Sequence, residues 1–326
     1  MKKSIAVIGQ GFVGGSLTTV FSERGHNVYV YDKADKVAKG GYSGCSTSSS
    51  KPSVAALVKR LEQNLVDVKH KSFSDVPVPP ILNFSKIYFV CLPTPMYEDG
   101  EADLSIVEGV LRELAEQPGE RIAVVKSTVP PGSTELWNKM FNEMGLTVVF
   151  NPEFLREASA LEDMRNQERI VLGGPRPQIN QVKLLFQQAF PNVPIVKTSS
   201  TTAEMVKYFT NIQLATRVVL SCELSEVCHR LDDMGMNIDY DKVVEYAKLD
   251  PRLGGSHMNI PGPDGIAGAR GHCFPKDLAA LISLANKIDL NPKLMQAVWD
   301  KNLDIVKPED RDWEKMYGRA ISKRKK

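Results

Sequence analysis

Ile5-Ala6-Val7-Ile8-Gly9-Gln10-Gly11-Phe12-Val13-Gly14 decides how the first part of the chain folds. A short apolar run rich in β-branched residues that stops at a glycine reads as a buried strand. Residues 12–24 then show helical spacing and stop at Gly25. Gly9, Gly11 and Gly14 therefore stand between a strand and a helix, the context that the G-x-G-x-x-G turn needs. The first glycine allows the tight turn, the second lets the backbone approach a pyrophosphate, and the third lets the helix pack on the sheet. The helix N-terminus would face the phosphates. Residues 28–31 read as the next strand, and Asp32 ends it. A carboxylate there accepts from a ribose 2′-OH and repels a 2′-phosphate, so NAD is expected over NADP. Lys33 and Lys36 soften that preference.

Outward from this turn, residues 87–91 and 122–125 read as buried strands with the amphipathic stretch 104–114 between them. Asp103 is the expected N-cap of that stretch. Residues 148–150, 170–172 and 195–197 complete the set. Strands alternating with helices imply βαβ units and a parallel sheet. Gly40 to Ser53, GGYSGCSTSSSKPS, reads as an inserted surface loop. From Thr201 the texture changes, and residues 202–231 are helix-compatible with no Gly or Pro. Further helical stretches are expected at 242–249, 277–286 and 292–302. The fold class is thus α/β, an N-terminal Rossmann-type doubly wound parallel sheet (residues 1–200) followed by an α-helical domain built on a long helix (201–326). The closing Lys323-Arg324-Lys325-Lys326 reads as a solvated basic tail.

The 326 residues carry 41 Lys+Arg against 39 Asp+Glu, a net charge of +2. That near-neutral balance argues against non-specific nucleic-acid binding. No apolar run approaches the ~20 residues that cross a bilayer. The lysines at the start resemble a signal n-region, but Gly9 breaks the apolar run at once, so a cytoplasmic location is expected. Five widely spaced cysteines, Cys45, Cys91, Cys222, Cys228 and Cys273, read as thiols. No Cys/His set has zinc-site spacing, so no metal is expected.

Four stretches carry candidate chemistry. In Gly271-His272-Cys273-Phe274-Pro275-Lys276-Asp277, Pro275 suits a first helical position. Cys273 would sit just before a helix N-terminus, where the dipole favours thiolate. Beside a nicotinamide site, a thiolate suggests covalent capture of an aldehyde; a buried structural cysteine is the alternative. In Asn151-Pro152-Glu153-Phe154-Leu155-Arg156-Glu157, Asn151 reads as an N-cap and Pro152 as the first helical residue. Glu153 and Glu157 would then share one helix face, either as a base for water or as an ordinary solvated helix start. Lys207 and Asn211, four apart on the long helix, either stabilise an oxyanion or are solvated. Lys126 to Ser133 follows a buried strand and presents Ser127 and Thr128; Thr128 is a candidate for placing a water or the cofactor.

Taken together, these residues resemble the UDP-glucose/GDP-mannose 6-dehydrogenase family. The motifs are the Gly9–Gly14 turn, Leu92-Pro93-Thr94-Pro95, Lys126-Ser127-Thr128-Val129-Pro130, Asn151 to Glu157, Asp163 through Arg169-Ile170-Val171-Leu172-Gly173, Lys207 to Asn211, Ala215-Thr216-Arg217, Asp250-Pro251-Arg252-Leu253-Gly254 and Cys273 to Asp277. They cover roughly residues 3–305. The resemblance implies oxidation of a nucleotide-sugar C6 alcohol to a carboxylate with two NAD, most simply UDP-glucose to UDP-glucuronate, or the same chemistry on GDP-mannose or a UDP-N-acetylhexosamine. A catalytically impaired nucleotide-sugar or NAD binder and a two-electron hydroxyacid dehydrogenase are the other readings. The resemblance implies Cys273 as nucleophile and Glu153 as the base toward the hydrolytic water. Lys207, Asn211 and Asp277 would bind the reacting oxygen or its water, and Thr128 would position that water. Gly9, Gly11, Phe12, Val13, Gly14, Asp32, Pro93, Thr94, Ser127, Thr128, Glu157 and Lys276 would contact the cofactor. Phe154, Leu155, Arg156, Glu157, Arg252, Gly268 and Arg270 would contact substrate, with Arg252 reaching across a homodimer built on the long helix.

Three departures stand out. Family members usually continue into a third, Rossmann-like domain, and this chain resembles the short two-domain members. The family's glycine-rich run before the Cys reads Gly268-Ala269-Arg270-Gly271-His272-Cys273 here. Arg270 would either be strained in a left-handed conformation or offer a cation to a diphosphate. The 40–53 stretch lacks the Pro- and Glu-containing segment common there.

Overall fold

The computed structural model describes residues 3–32 and 85–324. The 40–53 stretch, Lys33, Lys36, Cys45 and the closing Lys325-Lys326 lie outside the described residues. Two compact units are present. The first takes the described residues of Met1–Pro93 together with Ser105–Met205; the second takes Thr94–Leu104 and the described residues of Val206–Lys326.

In the first unit, seven strands form one sheet in the order β2-β1-β3-β4-β5-β6-β7. The strands are β1 (Ser4–Ile8), β2 (Asn27–Tyr31), β3 (Ile87–Val90), β4 (Arg121–Val125), β5 (Leu146–Phe150), β6 (Ile170–Gly173) and β7 (Ile195–Thr198). β1 pairs in parallel with β2 on one side and β3 on the other. The order therefore reverses at β1, which opens a crevice beyond the carboxyl ends of β1 and β3. Every residue of β3, β4 and β5 is buried, as expected where helices cover both faces of a parallel sheet. The helices are α1 (Phe12–Glu23), α2 (Ser105–Ala115), α3 (Ser133–Phe141), α4 (Ala160–Arg165) and α5 (Gln178–Ala189). Phe21 of α1 meets Phe89 and Phe186 at ring separations of 5.6 Å each, and these rings sit in the core with Ile5, Leu17 and Leu172.

The sheet is not parallel throughout. β5 and β6 are antiparallel and meet only at Phe150 and Gly173, the last residue of each. A parallel neighbour requires a crossover back to the start of the strand. The chain between them holds only a short 3₁₀ turn (Glu157–Ser159) and the six-residue α4, so β6 enters from the opposite end. β6 and β7, joined through α5, are parallel again.

The second unit is built on α6 (Ser200–Asp233), whose first residues belong to the first unit. It continues with α7 (Tyr240–Ala247), α8 (Phe274–Lys287), α9 (Lys293–Ile305) and the short α10 (Asp312–Lys315). Ala215 and Val219 of α6, Leu278 and Ile282 of α8 and Val298 of α9 form one core. Met96, Ala279, Val306, Trp313 and Ala320 form another, which draws in the 94–104 segment. The Met96 amide donates to Ala320 O at 2.8 Å. Asp103 Oδ2, ahead of α2, accepts from the Ser322 hydroxyl at 2.5 Å. The described part of the basic tail is likewise engaged, since Arg324 pairs with Asp99 at 2.6 Å and Glu101 at 2.9 Å.

Candidate functional site

In the first unit, the three glycines have distinct physical reasons. Gly9 has a φ of +90°, and its N–H donates to Tyr31 O at 2.8 Å. A Cβ at Gly9 would lie 2.4 Å from Cys91 O, and one at Gly14 would lie 1.8 Å from Gly9 O. At Gly11 a Cβ would meet nothing within 4 Å. Two glycines are thus required by the crowding of the protein's own backbone, and the third keeps an open face clear at the start of α1. The N-cap of α1, Gly11, has no side chain of its own to cap the helix, and no acidic residue lies in the first turn, which suits an anion there. Asp32 Oδ2 accepts from the Gln10 amide at 2.5 Å, which fixes the carboxylate at the end of β2. Gly11, the α1 N-terminus with Phe12 and Val13, and Asp32 therefore fit a dinucleotide.

Beyond β4, Lys126 is buried, and its Nζ donates to Asn151 Oδ1 at 2.8 Å. The Asn151 Nδ2 donates to Val171 O at 2.8 Å, bridging toward β6. Residues 151–156 form no helix, contrary to the N-cap reading of Asn151 and Pro152. The Asn151 side chain is committed to Lys126 and Val171, and Arg156 has extended backbone at φ −85°, ψ 134°. Glu153 and Glu157 consequently share no helix face. Glu153 is buried and its Oε2 accepts from the Leu155 amide at 2.8 Å, whereas Glu157 is exposed at the start of the 3₁₀ turn. Ser127 Oγ accepts from the Leu92 amide at 2.9 Å, and Thr128 follows it, also buried. Pro93 closes this part of the unit.

Around Phe154–Arg156, the Arg169 guanidinium lies 4.2 Å from the centroid of the Phe154 ring. Arg156 chelates Asp163, with Nη2 2.6 Å from Oδ1 and Nε 3.1 Å from Oδ2. That guanidinium holds the Asp163 carboxyl below its ordinary range. Burial pushes the nearby Cys91 thiol up to about 12, with Lys126 pulling it down and Glu153 pushing it up.

The sequence reading missed Glu204. It is 0 % exposed, and its carboxyl accepts from the Gly132 amide at 2.6 Å and the Thr134 amide at 2.8 Å. Burial raises its pKa, against those hydrogen bonds. It supplies the acceptor for α3, whose N-cap, Gly132, has no side chain of its own to offer. That glycine was the available signal, but it does not say which distant residue answers it.

In the second unit, Lys207 and Asn211 are 4 % and 6 % exposed on α6. Asn211 Nδ2 donates to Asp277 Oδ2 at 2.6 Å, and Lys276 Nζ pairs with Asp277 Oδ1. Asp277 is 1 % exposed, and its amide donates to Cys273 O at 3.0 Å. α8 begins at Phe274, so Cys273 is its half-buried N-cap residue and Pro275 lies one position later than expected. Cys91, Cys222, Cys228 and Cys273 form no disulfide. Thr94 is buried in the 94–104 segment.

Two substrate candidates are engaged within the chain. Arg252 is highly exposed, and Asp250 holds its guanidinium, with Nη2 2.5 Å from Oδ2. Arg270 corrects the reading of a strained residue. It is absent from the residues with positive φ; Gly268 at +101° and Gly271 at +76° take that conformation instead. Its guanidinium is spent on protein acceptors: Nη1 on Asp264 at 2.6 Å, Nε on Asp310 O at 2.9 Å, and Nη2 at 3.7 Å from Asp312. Gly268 is pressed against α9, where a Cβ would lie 2.3 Å from Val306 Cγ2.

Residues 3–189 match the NAD binding domain of the UDP-glucose/GDP-mannose dehydrogenase family, and residues 201–304 match its central domain. The chain is 34% identical over 306 residues to the UDP-glucose 6-dehydrogenase TuaD of Bacillus subtilis, covering 92% of this chain and 63% of that protein. A UDP-glucose dehydrogenase structure from Pyrobaculum islandicum aligns with a TM-score of 0.74 at 29% identity, over 93% of this chain and 68% of the other. A UDP-D-ManNAc dehydrogenase from Pyrococcus horikoshii aligns at 0.72 and 25% identity, over 93% and 68%. The glycine turn lies within the NAD binding domain match, and NAD is its cofactor. The chain belongs to the UDP-glucose/GDP-mannose dehydrogenase family, with its NAD-binding and central domains represented here.

Proposed function

We propose that the chain oxidises the C6 alcohol of a nucleotide-sugar, UDP-glucose to UDP-glucuronate, in two NAD-dependent steps. The observation that carries this reading is the group at the start of α8: Cys273 at the N-cap, and Asp277 one turn on, hydrogen-bonded to Asn211. A two-electron hydroxyacid dehydrogenase has no use for that cysteine. NAD supplies the hydride acceptor in each oxidation. The Cys273 thiolate adds to the C6 aldehyde as a thiohemiacetal, whose oxidation leaves a thioester; water then releases the carboxylate and regenerates the thiolate.

Lys207 and Asn211 donate to the reacting oxygen, and Asp277 orients Asn211 and Lys276. Glu153 takes the proton from the hydrolytic water, which Thr128 helps hold. Gly9, Gly11, Phe12, Val13, Gly14, Asp32, Pro93, Thr94, Ser127, Glu157 and Lys276 contact NAD, in a first domain of residues 1–200. Residues 201–326 supply the cysteine and the contact between two copies. Phe209, Leu220, Leu224 and Val227, all more than half exposed along α6, support a homodimer through that helix. The backbone of Phe154–Arg156, with Gly268, lines the substrate, and Arg252 serves the site of the second copy. We place the reaction in the cytoplasm.

The test is NADH counted per sugar consumed by purified protein given NAD and a panel of UDP- and GDP-sugars. Two NADH per UDP-glucose is the expected result. One per sugar, or none despite measurable NAD binding, overturns the four-electron reading. Two per UDP-N-acetylhexosamine or GDP-mannose, with none from UDP-glucose, moves the substrate and keeps the chemistry.

A further inference from the structure

The turn that delivers Cys273 is unusual in how it is held. Gly268 and Gly271 both have left-handed backbone, and Ala269 and Arg270 lie between them. Short glycine turns have little intrinsic preference for one conformation. Here the turn is tied down by residues 302–312 and by Asp264. Asn302 closes on Ala269 through both amide groups, its Oδ1 accepting from the Ala269 amide at 2.7 Å and its Nδ2 donating to Ala269 O at 3.0 Å. Val306, with Asn302, crowds the Cα of Gly268. Asp310 O accepts from Arg270 Nε. Asp312 receives the Gly271 amide on Oδ1 at 3.1 Å and faces Arg270 through Oδ2. Asp264 takes the remaining edge of the guanidinium. A planar fork that meets three acceptors fixes a backbone far better than a point charge.

We propose that Arg270, together with Asp312, is a positioning residue for the Cys273 thiol. The inference rests on the reading of Cys273 as nucleophile. The guanidinium joins the 264 loop, the Cys273 turn and the 310–312 segment into one rigid corner. It thereby fixes where the backbone enters α8 and where the sulfur stands relative to Asp277. The contacts at Asp310 and Asp312 lie beyond residues 201–304, which match the family's central domain.

The test compares Arg270→Ala, Arg270→Lys and Asp312→Asn in the full chain. Hydrogen exchange is followed by mass spectrometry on the peptide containing residues 268–273, and kcat and KM are measured with UDP-glucose and NAD. In Arg270→Ala, exchange across 268–273 rises about tenfold while that of β1 and α1 is unchanged. In the same variant kcat falls about tenfold or more, with both KM values within about twofold, because binding is intact and the reacting geometry is lost. Arg270→Lys recovers kcat only in part, about threefold above Arg270→Ala, since it keeps the charge opposite Asp264 but not the fork.

Unchanged exchange, or raised exchange with unchanged kcat, overturns the proposal. So does a KM effect alone. If Arg270→Ala does not fold, Asp312→Asn decides: it keeps a carbonyl for the Gly271 amide and removes the charge facing Arg270, and an unchanged kcat there overturns the positioning role. A parent chain that makes no NADH sinks the reading of Cys273, and the positioning role with it, whereas raised exchange in the variant still establishes the corner.

Discussion

Two glycine turns lead into two helices, and they are held by different forces. The Gly9–Gly14 turn is held by steric contact with its own strand backbone, with one carboxylate, Asp32, on the Gln10 amide. The Gly268–Gly271 turn is held by polar side chains that arrive from α9 and the segment after it. The first kind is crowded by backbone, Gly9 O at Gly14 and Cys91 O, just after β3, at Gly9. The second depends on amide and carboxylate groups from residues 302–312 and on Asp264. A turn fixed by packing tolerates little change in shape. A turn fixed by charge and amide pairs tolerates shape changes better and is exposed to single polar substitutions.

The largest expected effect separates the cysteines next to the two turns. Cys273→Ser lowers NADH production about 1,000-fold or more, as removal of a nucleophile does. Iodoacetamide at pH 8 labels Cys273 in the folded protein, while Cys91, half-buried like Cys273 but with its thiol pushed up to about 12, is labelled only after denaturation. Equal labelling of both would erase the contrast. Next, Gly14→Ala places a Cβ 1.8 Å from Gly9 O, so the unfolding free energy falls by about 3 kcal/mol, read by urea titration. Gly11→Ala, with open space around it, keeps the parent Tm and weakens NAD binding about tenfold by calorimetry, because the added methyl sits on the face the pyrophosphate approaches. Similar stability losses at both glycines would break the packing account.

Asp32→Ala reduces the preference for NAD over NADP about tenfold, measured as a ratio of dissociation constants. An unchanged ratio would overturn the ribose role of the carboxylate. The smallest effect concerns His26, just after α1, which stacks near Phe21 at 5.4 Å. Burial holds its pKa below 6.5, against a backbone hydrogen bond with Lys3. The unfolded chain therefore binds the proton more readily, and stability falls as pH drops below about 6.5. In His26→Leu the fall in Tm between pH 7.5 and pH 5 becomes shallower. A parallel pair of curves would show that His26 does not contribute to the acid limb.

The same division explains what the amino-acid sequence made legible. The β1 turn, the strand after it and the long helix follow from periodicity and glycine spacing. The 151–157 stretch does not, because Asn-Pro-Glu is as good a helix start as it is a strand exit. Only the distant Lys126 and the carbonyl of Val171 decide the matter, by claiming the Asn151 side chain. Arg270 was misread for a related reason: its acceptors at 310 and 312 lie far along the chain, and no local pattern announces them. Glu204 is the third case, a buried carboxyl that answers a glycine N-cap on another helix.

The single contact between β5 and β6 has a mechanical meaning. A ladder of backbone hydrogen bonds resists shear as a row of bonds; here the row is reduced to one residue pair, supplemented by the Asn151 amide on Val171. What joins the β6-α5-β7 block to the rest of the sheet is mostly apolar side-chain packing, including Phe186 against Phe21 and Phe89. Side-chain packing yields as a block rather than bond by bond. Pulled along its strands, the sheet would part first at this seam, releasing the last two strands together, and the loop that carries Glu153 begins at that edge.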